Sequence, residues 1–202
     1  SGIEAVSRTY HGTASVTSAG YVNVSSRYGD VQGLVVAADM EASITNANTV
    51  FADGGASSTA ILALSADGDV TVDSTNGDIF AYAHSRDSAA YGVQAQSNNG
   101  HVQVATGGAV YAIADNATGI YAGTKWNDVD VTNGGDLVAY AGGSYGEAVG
   151  IQGFSYDGTT TLTNATGATL QSIGRYSSVG MFAISLGGTA HVVNDGDVET
   201  FG

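Results

Sequence analysis

Short alternations of apolar and polar residues recur along this chain at intervals of about thirty positions. In Ile61–Ala83 three cores stand out, Ile61–Leu62–Ala63, Val70–Thr71–Val72 and Ile79–Phe80–Ala81, separated by turns of Gly, Asp and Asn. Period-two alternation over short cores bounded by turn formers is the pattern of half-buried strands. Helical periodicity is not sustained over any useful length. The chain reads as all-β.

The same three-strand sentence repeats to both ends. A Gly (once Ala) before an aliphatic residue opens each unit, at Ile3, Leu34, Ile61, Val93, Ile120, Ile151 and Met181, with spacings of 31, 27, 32, 27, 31 and 30 residues. The second strands carry the inward pairs Ala14/Val16, Ala42/Ile44, Val70/Val72, Val102/Val104, Val129/Val131, Thr160/Leu162 and Ala190/Val192. The third strands carry Val22/Val24, Val50/Ala52, Ile79/Ala81, Val110/Ala112, Leu137/Ala139, Leu170/Ser172 and Val198/Thr200.

A strand that returns at the same place in every unit pairs most simply with its own copy in the next. That winds the chain into a solenoid of parallel strands about 4.8 Å apart, on the order of 33 Å long for seven units. Parallel crossovers are overwhelmingly right-handed. The expected fold is therefore a right-handed parallel β-helix, three strands per rung, with residues 1–202 forming one segment of a longer repeat protein. A propeller blade needs a fourth strand, and a leucine-rich repeat needs a helical segment. The column Ser18, Asn46, Ser74, Thr106, Asn133, Asn164 and Asn194 predicts a stacked hydrogen-bonding ladder in the turn after the second strand. The connection after the third strand varies most, over 53–59, 84–91, 115–118, 142–149 and 174–179, and reads as a loop corner.

With the inward positions assigned, the outward ones follow. Those of the second strand are plainly polar: Ser15, Ser43, Thr71, Gln103, Asp130, Thr161 and His191. The third strand differs, with Phe51, Phe80 and Tyr111 in one column and Tyr82, Ile113 and Tyr140 in the next. Leu62 and Leu64 add apolar outward positions on the first strand. Broad exposed apolar patches often mark an interface. The candidate binding set is Phe51, Phe80, Tyr82, Tyr111, Ile113, Tyr140, Leu62 and Leu64, with an aromatic stripe for self-association or for stacking on a glycan. A plain structural ladder of aromatic side chains is the competing explanation.

Composition narrows the chemistry. A formal charge of −14 with five basic residues argues against nucleic acid or an anionic membrane as partner. The absence of cysteine excludes disulfides and thiolate chemistry. No apolar run approaches a membrane-spanning length, so this segment is not expected to insert into a membrane. Ser1–Ala5 reads as the middle of a repeat, which predicts an excised piece with any export signal upstream. Carboxylates before the third strand fall at Asp78, Asp136 and Asp197, on alternate rungs about 9.6 Å apart, too wide to share a metal ion. The turns Asp67–Gly–Asp69 and Asp195–Gly–Asp197 are weak calcium candidates, and the four histidines fall in different columns. No nucleophile elbow or phosphate-cradling loop is present. Neither a cofactor nor a metal site is expected, and no enzymatic activity.

The G-[I/V]-x-A starts (Gly92–Ala95, Gly119–Ala122), the V-x-V strands and the [V/L]-T-N turns (Val131–Gly135, Leu162–Gly167) together resemble the β-helical passenger regions of bacterial autotransporters and related secreted adhesins. The resemblance covers essentially the whole chain. It implies export to the bacterial cell surface and a role in adhesion, autoaggregation or as a stalk, with self or a host-surface protein or glycan as partner. The alternatives are a passive structural stalk and a carbohydrate-active β-helix of the lyase or tailspike type. The latter class clusters acidic and basic residues across neighbouring rungs, whereas Arg8, Arg27, Arg86, Lys125 and Arg175 are scattered along this sequence.

Overall fold

A strand whose inward residues are all aliphatic buries them only if identical strands stack above and below it, and that stacking organises the whole chain. The computed structural model describes Ser1–Gly202 as twenty-one strands without a helix. They form three parallel sheets of seven strands, each sheet gathering every third strand. The protein is a β-solenoid of seven rungs. One central rung consists of Ser57–Ser65 in the first sheet, Val70–Ser74 in the second and Ile79–Ala83 in the third.

The register follows the hydrophobic columns residue for residue. Ile61 pairs with Leu34 and Val93, Val70 with Ala42 and Val102, and Ile79 with Val50 and Val110. Rungs of unequal length keep this register because the extra residues are confined to turns. The three inward faces share one core of 37 buried residues from Val16 to Leu170, and the inward residues Val192 and Val198 of the last rung are exposed. Ile61, Ile79, Ile120, Leu137, Ile151 and Leu162 are fully buried in the core, each worth about 1.5–3 kcal/mol of burial free energy. Alanine at the second inward position keeps each rung thin.

The first strand is longer than the sequence pattern predicts. Residues 57–59, 89–91, 116–118, 147–149 and 177–179, expected in the loop, are paired strand. Gly33, Gly92, Gly119, Gly150 and Gly180 lie inside the strand, as does Ala60 at the same position, where the ladder skips one residue. Backbone crowding explains the glycine: a Cβ on Gly92 would sit 2.5 Å from the Gly119 carbonyl oxygen and 2.7 Å from Val110.

Polar columns tie the corners. In the predicted ladder, the Asn133 amide donates to Asn164 Oδ1 at 2.9 Å, Asn164 to Asn194 at 2.9 Å, and Thr106 donates to Asn133 at 3.1 Å. Asn46 donates to Ser74 at 2.9 Å in the same column. The opposite corner holds a second column that the sequence reading does not identify. Ser97 accepts from the Gly100 amide at 2.8 Å and donates to the Gly68 carbonyl of the preceding rung at 2.7 Å. Ser155 does the same with Gly158 and Asn127, both at 2.7 Å. Its signal was available as a repeated S-x-x-G at Ser65–Gly68, Ser97–Gly100, Ser155–Gly158 and Ser185–Gly188.

The turns from the third sheet to the first alternate in length. Residues 26–30, 84–88 and 142–146 make five-residue turns, while 55–56, 115 and 175–176 make turns of one or two. Arg27, Arg86 and Arg175 all lie at this corner, and Arg8 and Lys125 at the first-to-second-sheet corner. Basic residues scattered in sequence thus fall on two edges of the rod.

Candidate functional site

The third sheet's outward face brings the predicted aromatic residues together. Phe51, Phe80 and Tyr111 are directly in register on three successive strands, and Tyr82 stands two positions beyond Phe80 on the same face. Phe80 stacks on Tyr111 with ring centroids 5.3 Å apart and planes 12° from parallel. It also lies parallel to Tyr82 at 6.5 Å, and Phe51 packs against Tyr82 at 5.4 Å. These separations fall in the range favoured by aromatic pairs. Ile113 follows Tyr82 in its column, and Tyr140 follows Ile113, 43 % exposed and outside the ring contacts. The four packed rings are half-buried by one another and keep an outer surface free.

Charge is sparse in the centre of this surface, with Asp78, Asp136 and Asp197 along its edge and Glu199 in the last rung. Along the two columns from Phe51 to Ile173 the single ionisable acid is Asp53, and His84 Nε2 lies 2.7 Å from its Oδ1. Burial in the cluster, then the neighbouring Tyr111 and the Asp53 carboxylate, hold the Tyr82 phenol above the ordinary tyrosine range. Tyr82 therefore stays neutral at every physiological pH. Chemically the patch offers flat apolar area with phenol groups at its margin, suited to packing or ring stacking.

Leu62 and Leu64 lie on a different sheet, and the structure does not bring them to the stripe. Leu62 faces outward on the first sheet between Val35 and Gln94 but is only 8 % exposed. The expectation of an exposed leucine there fails, since neighbouring side chains already cover it; Leu64 is half-buried. The outward apolar surface of that sheet is also interrupted, because Gln94 and Gln96 separate Leu62 and Leu64 from Tyr121 and Phe154. Sequence reasoning missed one further pair at the adjoining corner, Trp126 against Tyr156 at 5.6 Å with the Lys125 ammonium 4.9 Å from the indole. The two aromatics stand one turn apart in neighbouring rungs, a relation visible only once the register is fixed.

The carboxylates are largely spent within the protein. Asp67 accepts from the Asn99 side chain at 2.5 Å and Asp69 from the His101 amide at 2.8 Å. On the alternate-rung column, the intervening residues supply donors: Thr169 gives its hydroxyl to Asp136 at 2.7 Å and Ala109 its amide to Asp78 at 2.9 Å. No three His, Asp or Glu side chains converge as a ligand set for a metal ion.

Fold and surface together define a β-solenoid whose third sheet carries a packed aromatic cluster on its outer face. Comparison with protein-family models, with curated proteins and with solved structures finds no match for the chain.

Proposed function

We propose that this chain is a non-catalytic adhesive rod, displayed outside a bacterial cell, that associates side by side with further copies through the third sheet's outward face. The observation that carries the reading is the packed cluster of Phe51, Phe80, Tyr82 and Tyr111 on a solvent-facing sheet whose neighbouring sheet is polar at the equivalent positions. A purely structural rung needs no such rings. Between Phe51 and Ile173 the two central columns of this face hold one carboxylate, Asp53, so in a molecule of net charge −14 two copies meet along them with little repulsion. Resemblance to autotransporter passengers supports the location and the adhesive role.

Two columns over seven rungs cover roughly 400 Å², about half of what one partner buries in a stable complex. One pair of rods therefore associates weakly, and strength comes from many parallel contacts. Sedimentation velocity over a concentration series tests this. Wild type is expected to shift toward larger species with concentration, and Tyr82→Ser with Tyr111→Ser to remain monomeric. Identical behaviour of the two would sink the proposal. A passive stalk is the second reading, favoured by the rings' mutual packing; it predicts that the same double substitution lowers the melting temperature and leaves association unchanged.

A further inference from the structure

The alternation of long and short turns at the third-to-first-sheet corner makes that edge a series of walls and gaps. A five-residue turn stands out from the rod, the next rung's turn of one or two residues lies low, and the following one stands out again. Clefts open between successive long turns in two places. Between 84–88 and 142–146 the first measures about 330 Å³ and has Asp115 and Asn116 as its floor, with Arg86 and Tyr145 in its walls. Between 26–30 and 84–88 a second, of about 400 Å³, again sets an arginine, Arg27, beside a carboxylate, Asp53, with His84 in place of the aromatic wall. The two floors are two rungs apart, about 9.6 Å along the axis.

The first cleft is held in shape by its own backbone. Asp115 Oδ2 accepts from the Asp87 amide at 2.7 Å, Asn116 Oδ1 from the Glu147 amide at 3.3 Å, and the Asn116 amide donates to the Ser88 carbonyl at 2.9 Å. Asp115 Oδ1 and Asn116 Nδ2 are left without a partner. Arg86 enters neither of the protein's two ion pairs, both of which belong to histidines. At Gly143 a side chain would strike Asp115, with a Cβ 2.9 Å away, so the wall stays bare there. Tyr145, 81 % exposed, sets its ring edge to face against Tyr176 at 6.2 Å and offers an open aromatic surface beside the polar floor.

A polar, solvent-open cleft of this size does not suit an apolar small molecule, whose sites are mainly apolar. A carboxylate oxygen, an amide nitrogen and a guanidinium converging beside an aromatic ring instead match the adjacent hydroxyls and the C–H face of a pyranose. From this we infer that the corner is an oligosaccharide-binding groove running along the rod, with the Arg86/Asp115/Tyr145 cleft as its principal subsite and the Arg27/Asp53 cleft as a second. An extended disaccharide spans a length comparable with the two-rung repeat. The ligand class is a neutral glycan, because the net charge of −14 repels acidic chains.

The principal cleft shares no residue with the aromatic face, whereas the second meets it at Asp53, the register partner of Tyr82. Immobilised neutral oligosaccharides of two to six sugars, with polygalacturonate and heparin as acidic counterparts, are probed with wild type and variants. Binding to at least one neutral series is expected, rising with chain length and falling roughly tenfold or more in Arg86→Ala and in Tyr145→Ala. Arg27→Ala is expected to weaken only the longer chains, and Tyr111→Ser, which lines neither cleft, to change nothing. The Arg27, Arg86 and Tyr145 substitutions are in exposed turns, and unchanged thermal unfolding verifies their folding. Failure to bind any neutral oligosaccharide, preference for the acidic chains, or undiminished binding in Arg86→Ala with Tyr145→Ala overturns the proposal.

Discussion

The second and third sheets are built on the same plan, yet present opposite surfaces. Both stack seven parallel strands, both point Val, Ile, Leu and Ala into the shared core, and both hold strict register from rung to rung. Outward, the second sheet shows Thr71, Gln103, Asp130 and Thr161, where the third shows Phe80, Tyr111, Val138 and Gln171. The solenoid fixes what faces inward, because a rung with a polar interior would not close on its neighbours. It leaves the outward residue free, and solvation alone would fill every such position with a polar side chain. Departure from polarity on the third sheet, and in part on the first, is therefore information that the fold does not require.

Substitutions at matched positions sharpen that contrast. The largest effects belong to the interior and should not distinguish the sheets: Ile79→Ala in the third and Ile44→Ala in the second are each expected to destabilise by about 2–5 kcal/mol in denaturant unfolding. A sheet whose interior variant is tolerated would break the symmetry claimed for the core. Next comes the corner ladder, where Asn133→Ala strands the partners in the rungs on either side, Thr106 and Asn164, and is expected to cost about 1–3 kcal/mol. Outward substitutions should separate the faces. Tyr82→Ser with Tyr111→Ser is expected to abolish concentration-dependent association, whereas Thr161→Ala with Thr163→Ala on the second sheet leaves it intact in the same sedimentation experiment. Equal effects of the two pairs would show that the aromatic identity of the face does not matter.

The smallest effect is a pH dependence. Because the folded state holds the Tyr82 proton more tightly than the unfolded chain does, the unfolded chain ionises first as pH rises. Stability is thus fully present below the unfolded tyrosine value of about 10 and declines above it. In Tyr82→Phe this part of the alkaline decline should vanish, as read by urea unfolding at matched pH values, and the most resistant phenol should disappear from the tyrosinate absorbance titration. A wild-type titration in which Tyr82 ionises with the exposed tyrosines would remove the argument that the ring is packed.

Much of this was legible in the sequence because a solenoid repeats its own solution. Each inward column was readable from alternation, and the unequal lengths of the first two units were absorbed in turns without disturbing the pairs Ala14–Ala42 and Val16–Ile44. The asparagine column was readable for the same reason. What escaped was local geometry. The length of the first strand was hidden because a glycine, which in a sequence signals a turn, lies inside it, at Gly33, Gly92, Gly119 and Gly150 close under the carbonyl of the next rung. The S-x-x-G corner escaped although its spacing recurs, since Ser and Gly are also ordinary turn residues. Leu62 was misjudged as exposed because alternation assigns a side of the sheet and not the cover that neighbouring side chains provide.

The sequence by itself thus determined the class of fold, the register of every sheet and the identity of the residues facing out. Those depend on a two-residue period and a roughly thirty-residue repeat, and both are linear properties of the chain. Only the tertiary structure decided which outward residues meet. Phe51 and Tyr82 are 31 positions apart and touch because one rung lies over the next. Arg86, Asp115 and Tyr145 share a cleft because two long turns flank a short one. Surface sites in a solenoid are assembled across rungs, so they exist only after the winding has brought distant turns side by side.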